Sequence, residues 1–379
     1  MDPLKLPFDA DDMLTGLRPW IECESPTHDA AAVDRMMDLA AYDLAQMAEI
    51  ERIPGRMGFG GSLRARFPHP RQGAPGILIL GHMDTVHPVG TLSKLPFRRE
   101  GDICFGPGIM DMKGGNYAAV EALRQLQRAG LETPLPVTVL FTPDEEVGTP
   151  STRELIEAEA ARHKYVLVPE PARDDGGAVI GRYAIARFNL IAEGRPSHAG
   201  ARLSEGRSAI AMMARKLLEI EAMTGEDCTF SVGVIRGGEW VNCVSSLCKA
   251  EALSMAKTQE DLDRGVARMM ALAGDENGVE FRITRGVTRP VWAPDQPGTM
   301  AMYDVAKDIA RDLGFDLTAG SAGGGSDGNF TGAMGIPTLD SLGVRGKGLH
   351  TLTEHIEVAS LAERGRLLAA LMMRLGGQG

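Results

Sequence analysis

Short apolar runs recur through the first half of the chain and alternate with segments of helical spacing. The runs are GILIL at 76–80, PVTVLF at 136–141 and YVLV at 165–168. Between them, residues 114–129 and 151–161 carry apolar positions three or four residues apart, and Ser151 or Thr152 is placed to cap the second segment. Regular alternation of strands and helices is typical of a mostly parallel sheet covered by helices. We therefore predict an α/β fold for this region.

From about Tyr183 the pattern changes to strand, helix, strand, strand, helix and strand. This β-α-β-β-α-β order is that of the ferredoxin-like α+β unit. The earlier alternation then returns, with a helix predicted near 300–313, a strand near 338–342 and a helix at 358–375. We therefore predict one discontinuous domain, residues 1–182 and 289–379, with a second domain inserted at 183–288.

Composition and charge narrow the class of protein. With 379 residues, of which 44% are hydrophobic and 24% charged, the chain is long enough for two domains with separate cores. A net charge of −11 argues against a nucleic-acid partner, because phosphates are bound by clustered Lys and Arg. No apolar stretch approaches the roughly 20 residues that span a bilayer, and the N-terminus carries acidic residues rather than a signal peptide. We expect a cytoplasmic protein with no membrane partner.

The first chemical signal is GHMDTV at 81–86, directly after the first apolar run. It places His82 and Asp84 at the carboxyl end of a strand, which is where ligands bind in open α/β sheets. Alternation along an extended segment puts both side chains on one face, so Asp84 can reach the ring N–H of His82 and fix its tautomer. A metal ligand with its orienting carboxylate is one interpretation. A strand-end pair that makes only local hydrogen bonds is the other.

Further carboxylates and a histidine follow later segments. Asp111, within GPGIMDMKGG, precedes a helix that begins in glycines and could be only an N-cap. The three carboxylates at 144–146 follow PVTVLF and repel one another unless cations lie among them; a solvated acidic turn is the alternative. Glu170 follows YVLV, and His350 lies near the C-terminus. Imidazole and carboxylate ligands without a Cys-x-x-Cys pair are typical of a catalytic zinc site, with Mn²⁺ or Co²⁺ as alternatives.

Seven motifs together resemble the dinuclear-zinc peptidase and aminoacylase family. They are GHMDTV, GPGIMDMKGG, PDEEVG, PEP, GRPSHAG, GGGSDGNF and GLH, in this order along nearly the whole chain. That family includes glutamate carboxypeptidases, succinyl-diaminopimelate desuccinylases and aminoacylases, and the motifs are most similar to the glutamate carboxypeptidases (carboxypeptidase G). The resemblance implies a zinc-peptidase-like catalytic domain with a mostly parallel sheet, and an inserted ferredoxin-like α+β dimerisation domain.

Carried over position by position, the resemblance implies a site for two zinc ions. Asp111 would bridge the ions. His82 and Glu170 would complete one ion's ligands, and Glu146 and His350 those of the other.

The resemblance also implies roles for residues that are not ligands. Asp84 would orient His82, and Glu145 would be the general base, which takes a proton from the attacking water and delivers it to the leaving amine. His198, within PSHAG, would stabilise the oxyanion in the partner subunit, so that the active enzyme is a homodimer.

Three further residues match family positions that hold the terminal carboxylate of the substrate. They are Asn242, Arg289 and the backbone of Gly325; Arg is suited to this because its planar fork binds a carboxylate at two points. Taken alone, they could equally be a hairpin asparagine, a surface arginine and a turn glycine. The segment 172–182 departs from the glutamate carboxypeptidase pattern, and Arg173 or Arg182 could replace its basic residue for a glutamate side chain.

The sequence thus favours a metallocarboxypeptidase that releases a C-terminal amino acid, preferably glutamate, from a peptide or N-acyl substrate. An N-acyl amino acid amidohydrolase or deacylase would use the same residues. A catalytically inactive dimeric binding protein is disfavoured because all five ligands and Glu145 are retained. A nucleotide-binding enzyme is disfavoured because GGGSDG matches neither the P-loop nor the dinucleotide fingerprint.

Overall fold

The computed structural model describes residues 2–377, and the chain divides into two compact units. The first unit contains the described residues up to Gly181, then Ala293–Ala322 and those from Ser326 onwards. The second contains Arg182–Trp292 and Gly323–Gly325. The boundaries expected from the sequence lie within four residues of these, but the membership of Gly323–Gly325 in the second unit has no signal in the sequence.

The helices and strands are numbered separately along the chain. The helices are α1 (Ala10–Glu22), α2 (Ala30–Leu44), α3 (Gly114–Arg128), α4 (Arg153–Ala160), α5 (Ala209–Ala222), α6 (Gln259–Met270), α7 (Pro297–Leu313), α8 (Gly328–Ala333) and α9 (Ala359–Arg374). The strands are β1 (Glu49–Ile53), β2 (Ser62–Arg66), β3 (Gly76–His82), β4 (Arg98–Glu100), β5 (Ile103–Phe105), β6 (Val137–Thr142), β7 (His163–Leu167), β8 (Ala178–Arg182), β9 (Ala184–Glu193), β10 (Cys228–Gly237), β11 (Leu247–Ala256), β12 (Gly274–Glu276), β13 (Val279–Arg289), β14 (Ala319–Ala322), β15 (Thr338–Leu339), β16 (Gly346–Lys347) and β17 (His355–Glu357).

The three predicted apolar runs form adjacent strands in the middle of a six-stranded sheet. Its order is β1-β2-β6-β3-β7-β15, in which β3 is parallel to β6 and β7, and β15 is parallel to β7. Only β1 and β2 run antiparallel to their neighbours. Every residue of β3 and β6 is buried, as expected of parallel strands covered on both faces. The predicted mostly parallel sheet is confirmed, and the carboxyl ends of its parallel strands β3, β6, β7 and β15 share one edge.

Alternation along β3 distributes its side chains between two cores. Ile77 and Ile79 belong to the larger core, with α1, α3, α7 and α9. Leu78 and Leu80 belong to a smaller core that includes residues of α4 and α8. Helices therefore cover both faces of the central sheet.

Two smaller sheets and two helix starts differ from expectation. Strands β4, β5, β16 and β17 form an antiparallel sheet, and β8 pairs with β14; neither sheet was predicted. Thr152 stands at the N-cap position of α4, but its hydroxyl bonds to Asp144 rather than capping the helix. Helix α7 begins earlier than predicted because Pro297 suits the first helical turn.

The second unit is an antiparallel sheet with two helices. Its order is β10-β11-β9-β13-β12, and the strands β13, β9, β11 and β10 reproduce the ferredoxin-like arrangement that the sequence predicts. Phe188 and Phe281 of the sheet pack with Met212 of α5 and Leu262 of α6. Strand β10 lies at one edge of the sheet.

The main segment of the second unit, Arg182–Trp292, begins and ends side by side. Arg182 and Trp292 exchange two backbone hydrogen bonds, of 2.9 and 3.0 Å. Among residues 2–377, no helix has the length and apolar character needed to cross a membrane.

Candidate metal centre

His82 ends strand β3 and is 1% exposed. Its Nδ1 lies 3.0 Å from the backbone oxygen of Asp84 and 3.3 Å from the Oδ1 of the same residue. Because Nδ1 faces two acceptors, it carries the proton, and a neutral ring leaves the Nε2 lone pair for a cation. Asn116 of α3 donates to the His82 carbonyl oxygen at 2.7 Å. Strand, helix and carboxylate together fix the imidazole.

Asp84 connects this histidine to two other segments. It is fully buried, and its carboxylate accepts hydrogen bonds from the Thr27 hydroxyl at 2.7 Å and from the backbone N–H groups of Glu145 and Glu146 at 3.2 and 3.3 Å. The proposed orienting residue therefore also positions the acidic loop that follows β6.

Asp111 lies between two histidines. Its Oδ1 is 3.2 Å from His82 Nε2, and its Oδ2 is 3.2 Å from His350 Nε2. The same nitrogen of His350 is 3.2 Å from Glu146 Oε2. His350 has a φ of 60°, a left-handed conformation that is uncommon for residues with a side chain and is often found at functional sites. A carboxylate whose two oxygens face different imidazoles is placed to bridge two cations.

Two more carboxylates surround His82. Glu170 Oε1, after β7, is 3.8 Å from His82 Nε2, and Glu145 Oε2 is 3.9 Å from it. Two groups offer ligand atoms within 4.8 Å of one another, namely His82 with Glu145 and Glu170, and His82 with Asp111 and Glu146. The structure thus brings together all five residues expected as ligands and the expected base. Glu145 lies as close to His82 as Glu170 does, so distance alone does not separate base from ligand.

Crowding of charges perturbs the pKa values of the cluster. Burial and the Asp111 charge raise the pKa of Glu146 to about 8, and they raise the pKa of Glu170 well above its usual value. Hydrogen bonds with Asp111 and Glu146 raise the pKa of His350 to about 11.

The pKa values of His82 and Asp111, at the centre of the cluster, shift in opposite directions. Burial would lower the pKa of His82, but hydrogen bonds with Asp111 and Asp84 raise it well above its usual value. Burial would raise the pKa of Asp111, but hydrogen bonds with His350 and His82 lower it.

Protons therefore supply the positive charge that this cluster of carboxylates requires. A divalent cation would supply the same charge and would displace those protons. The donor set of imidazole nitrogens and carboxylate oxygens, without a thiolate, suits Zn²⁺ in a catalytic site. The residues therefore fit a metal ion.

His198, in the second unit, is an exposed residue on the loop after β9. Its Nδ1 accepts the backbone N–H groups of Gly200 and Ala201, each at 3.1 Å. This leaves the ring proton on Nε2, which becomes a hydrogen-bond donor. Asn242 lies beside this loop, because its carbonyl accepts the Ala199 N–H at 2.9 Å.

Arg289 and Gly325 are adjacent. Arg289 ends β13 and is 4% exposed. A Cβ atom at Gly325 would lie 2.6 Å from Arg289 Cδ, so only glycine fits against this side chain. Arg182 donates to the Gly324 carbonyl at 2.7 Å and so borders the same glycine segment. Arg173 instead lies beside Asp175, 3.4 Å away.

Sequence reasoning missed Thr27 and Asn116, which orient Asp84 and His82. Their hydrogen bonds join positions 57 and 34 residues apart. Contacts at such separations leave no periodicity or motif in one sequence, so no signal was available.

Comparison with known proteins identifies the family of the chain. The profile of Peptidase family M20/M25/M40 matches residues 78–374. The chain is 31% identical over 313 residues to carboxypeptidase G2 of Pseudomonas sp. (strain RS-16), covering 80% of this chain and 75% of that protein. It is 27% identical over 334 residues to succinyl-diaminopimelate desuccinylase of Xanthomonas campestris pv. campestris (strain B100), covering 80% and 84%.

A solved structure shows the same fold. The crystal structure of a tripeptidase from Staphylococcus aureus superposes with a TM-score of 0.76 at 20% identity, covering 98% of this chain and 99% of the tripeptidase. The fold and the imidazole and carboxylate cluster define a hydrolytic enzyme of the metallopeptidase and amidohydrolase class. The chain belongs to peptidase family M20/M25/M40.

Proposed function

We propose that the chain is a dinuclear zinc carboxypeptidase that releases a C-terminal amino acid, preferably glutamate, from a peptide or N-acyl substrate. The observation that carries this proposal is the placement of Asp111 between His82 and His350, with an oxygen 3.2 Å from each. The similarity to a desuccinylase keeps an N-acyl amino acid amidohydrolase as the second candidate.

Five residues would hold two ions, which we propose to be Zn²⁺, with Mn²⁺ or Co²⁺ as alternatives. His82 and Glu170 would hold one, Glu146 and His350 the other, and Asp111 would contact both. When bound, the ions polarise the scissile carbonyl and make a water molecule more acidic.

Glu145 is proposed as the general base. The backbone N–H of Glu145 donates a hydrogen bond to Asp84 Oδ1 at 3.2 Å, and Glu145 is 8% exposed. These contacts hold the Glu145 carboxylate at the edge of the cluster. Oε2 accepts the proton of the attacking water and later delivers it to the leaving amine. Its neighbour Glu146 lies against His350 at 3.2 Å, which favours Glu146 as the ligand of the two.

His198 is proposed to donate its Nε2–H to the oxyanion in a second copy of the chain. A donor aimed at developing negative charge needs a fixed tautomer, and the two backbone N–H groups on Nδ1 provide it.

The second unit offers a surface for that second copy. Strand β10 is an edge strand, and edge strands leave backbone N–H and C=O groups open to pairing. Ile235 of β10 is 51% exposed, and Leu218 and Ile210 of α5 are 74% and 40% exposed. Exposed apolar side chains beside an open edge support pairing between two copies, so we propose a homodimer through this unit.

We propose that three further residues of the second unit, together with Arg182, recognise the substrate. Arg289, with Asn242 and the backbone of Gly325, would hold the terminal carboxylate. Arg182, which borders the same glycine segment through Gly324, is proposed to bind a glutamate side chain. A cytoplasmic location stays a prediction.

A hydrolysis screen tests the proposal. Dipeptides and N-acyl amino acids ending in Glu, Gln or Ala are compared in the presence of Zn²⁺, Mn²⁺ or Co²⁺, with elemental analysis of the protein. We expect two ions per chain and the highest kcat/KM for C-terminal glutamate. Faster hydrolysis of N-acyl amino acids than of any dipeptide would favour the amidohydrolase instead. One ion or none per chain would contradict the bridging role of Asp111.

A further inference from the structure

Glu354 is a buried carboxylate outside every motif of the proposed site. It lies four residues after His350 and is 1% exposed. Its Oε1 accepts the backbone N–H groups of Met110 at 2.8 Å and Asp111 at 3.1 Å. Its Oε2 accepts the N–H of Gly108 at 3.1 Å and lies 2.6 Å from His87 Nε2. One side chain therefore binds three N–H groups of the turn that carries Asp111.

This turn needs such an acceptor. Gly108 has a left-handed φ of 70°, and Asp111 has a non-helical φ of −114° and ψ of 97°, so the segment departs from regular helical geometry. Met110 is buried, and an N–H group removed from water must find an acceptor within the protein. The orientation of the Asp111 backbone, and hence of its carboxylate, depends on Glu354.

The other end of the same turn is also fixed. Lys113 is buried, and its Nζ donates to the backbone oxygens of Trp20 at 3.1 Å and Cys23 at 2.8 Å, at the end of α1. Asp111 therefore lies on a segment held on one side by Glu354 and on the other by Lys113.

We propose that Glu354, supported by His87, is a positioning residue that sets the Asp111 carboxylate between the two ion positions. It acts through the backbone of Asp111 rather than on substrate. The inference rests on the proposed function in one respect, which is that Asp111 is a metal ligand.

Glu354 is not placed to be a ligand itself. A carboxylate has about four lone-pair positions. The four N–H donors of Gly108, Met110, Asp111 and His87 account for all of them. The contact with His87 also joins the loop after β3 to the loop that carries His350.

The substitution Glu354→Gln tests the inference. The amide NH₂ must face either the Gly108 and His87 donors or the Met110 and Asp111 donors, so one pair of contacts is replaced by opposed donors. We expect the affinity for Zn²⁺, measured by competition with a chelator, to fall about 10- to 100-fold, the range typical of groups that orient metal ligands. At saturating Zn²⁺, kcat should fall more than KM rises.

A matched control is the same substitution at Glu159. Glu159 is 3% exposed and pairs with Arg64 at 3.0 Å, and it contacts none of the proposed ligands among the described hydrogen bonds. Glu159→Gln should lower the Tm while leaving Zn²⁺ affinity unchanged. A loss of Tm without a loss of Zn²⁺ affinity in Glu354→Gln would overturn the inference.

Substitutions of His87 give a second, milder route to the same result. His87→Ala removes only one of the four contacts, so Zn²⁺ affinity should fall less than in Glu354→Gln. His87→Gln, which restores an N–H donor, should recover part of the loss. Unchanged Zn²⁺ affinity in His87→Ala would remove His87 from the inference. A wild-type chain that binds no Zn²⁺ would overturn the proposed function as well, and this separates the two failures.

Discussion

The candidate metal cluster of the first unit and the residues of the second unit that are proposed to contact substrate are held in different ways. Asp84 is buried and accepts hydrogen bonds from Thr27, Glu145 and Glu146, which lie 57 to 62 positions away. The ring of His198 is exposed and accepts from Gly200 and Ala201, two and three residues on. The buried cluster is thus held by contacts between distant segments, whereas the exposed ring of His198 is oriented by its own loop.

We expect a substitution in the cluster to reduce both the metal content and the activity, unless it is made at the proposed base, Glu145. Glu145→Gln should leave two ions bound and lower kcat about 10²- to 10⁴-fold, because proton transfer is lost. The measurement is steady-state kinetics combined with elemental analysis.

Glu146→Gln is the matched control, since it makes the same substitution one residue away. It should lose metal as well as activity, because Glu146, which lies 3.2 Å from His350, is one of the proposed metal ligands. If Glu145→Gln loses an ion and Glu146→Gln keeps both, the two roles are exchanged.

A change at His198 should leave the metal centre intact. His198→Ala should bind two ions and lower kcat about 10²- to 10³-fold, the usual effect of removing one oxyanion donor. Mixing His198→Ala chains with Glu145→Gln chains should restore part of the activity if the histidine acts across a dimer. Absence of restored activity in verified mixed dimers would place His198 outside the partner's site, and His69→Ala serves as a histidine control.

The glycine beside Arg289 should be sensitive to a single methyl group. Gly325→Ala would place a Cβ 2.6 Å from Arg289 Cδ and displace the guanidinium group. We expect KM for substrates with a free terminal carboxylate to rise about tenfold or more, because two-point binding depends on geometry. Gly335→Ala, where no atom lies within 4 Å, controls for the added methyl group, although its φ of 77° adds local strain. An unchanged KM in Gly325→Ala would remove Arg289 from carboxylate binding.

The smallest effect concerns stability and pH. Raised carboxyl pKa values mean that the metal-free protein is stabilised by protonation below about pH 4.5 and loses that stabilisation as pH rises towards about 8. His350, whose pKa is raised to about 11, also stabilises the folded protein when it is protonated, and this stabilisation is lost as pH rises above the usual pKa of histidine. Zn²⁺ binds the deprotonated ligands, so its stabilisation grows with pH.

The difference in Tm between zinc-loaded and metal-free protein should therefore widen between about pH 5 and 8. Thermal unfolding with excess Zn²⁺ or with a chelator measures it. In Glu146→Gln the widening should be smaller. A difference that is constant across this range would show that protons and Zn²⁺ do not compete for the cluster.

Much of the fold was predictable because its signals are local. β3 and β6 are continuously buried and so appear as unbroken apolar runs, and their ends locate His82 and Glu145. The ferredoxin-like unit was predictable because β9 alternates buried and less buried positions from Ala186 onwards. The roles of His198 and Arg289 came only from motif resemblance and stay predictions.

The remaining features depend on contacts between distant positions. Strands β4, β5, β16 and β17 have two or three residues each, too few to show a period. Glu354 binds the Asp111 turn from 243 to 246 positions away, and nothing in its surrounding sequence indicates that partner.

The paired hydrogen bonds between Arg182 and Trp292 have a consequence for how this architecture can change over time. They bring together the two ends of Arg182–Trp292, the main segment of the second unit. A segment inserted at such a place can be lengthened, exchanged or deleted while the first unit keeps its own chain path. On the proposed assignment of residues, recognition of new substrates can thus be acquired by changing the second unit without rebuilding the metal cluster of the first.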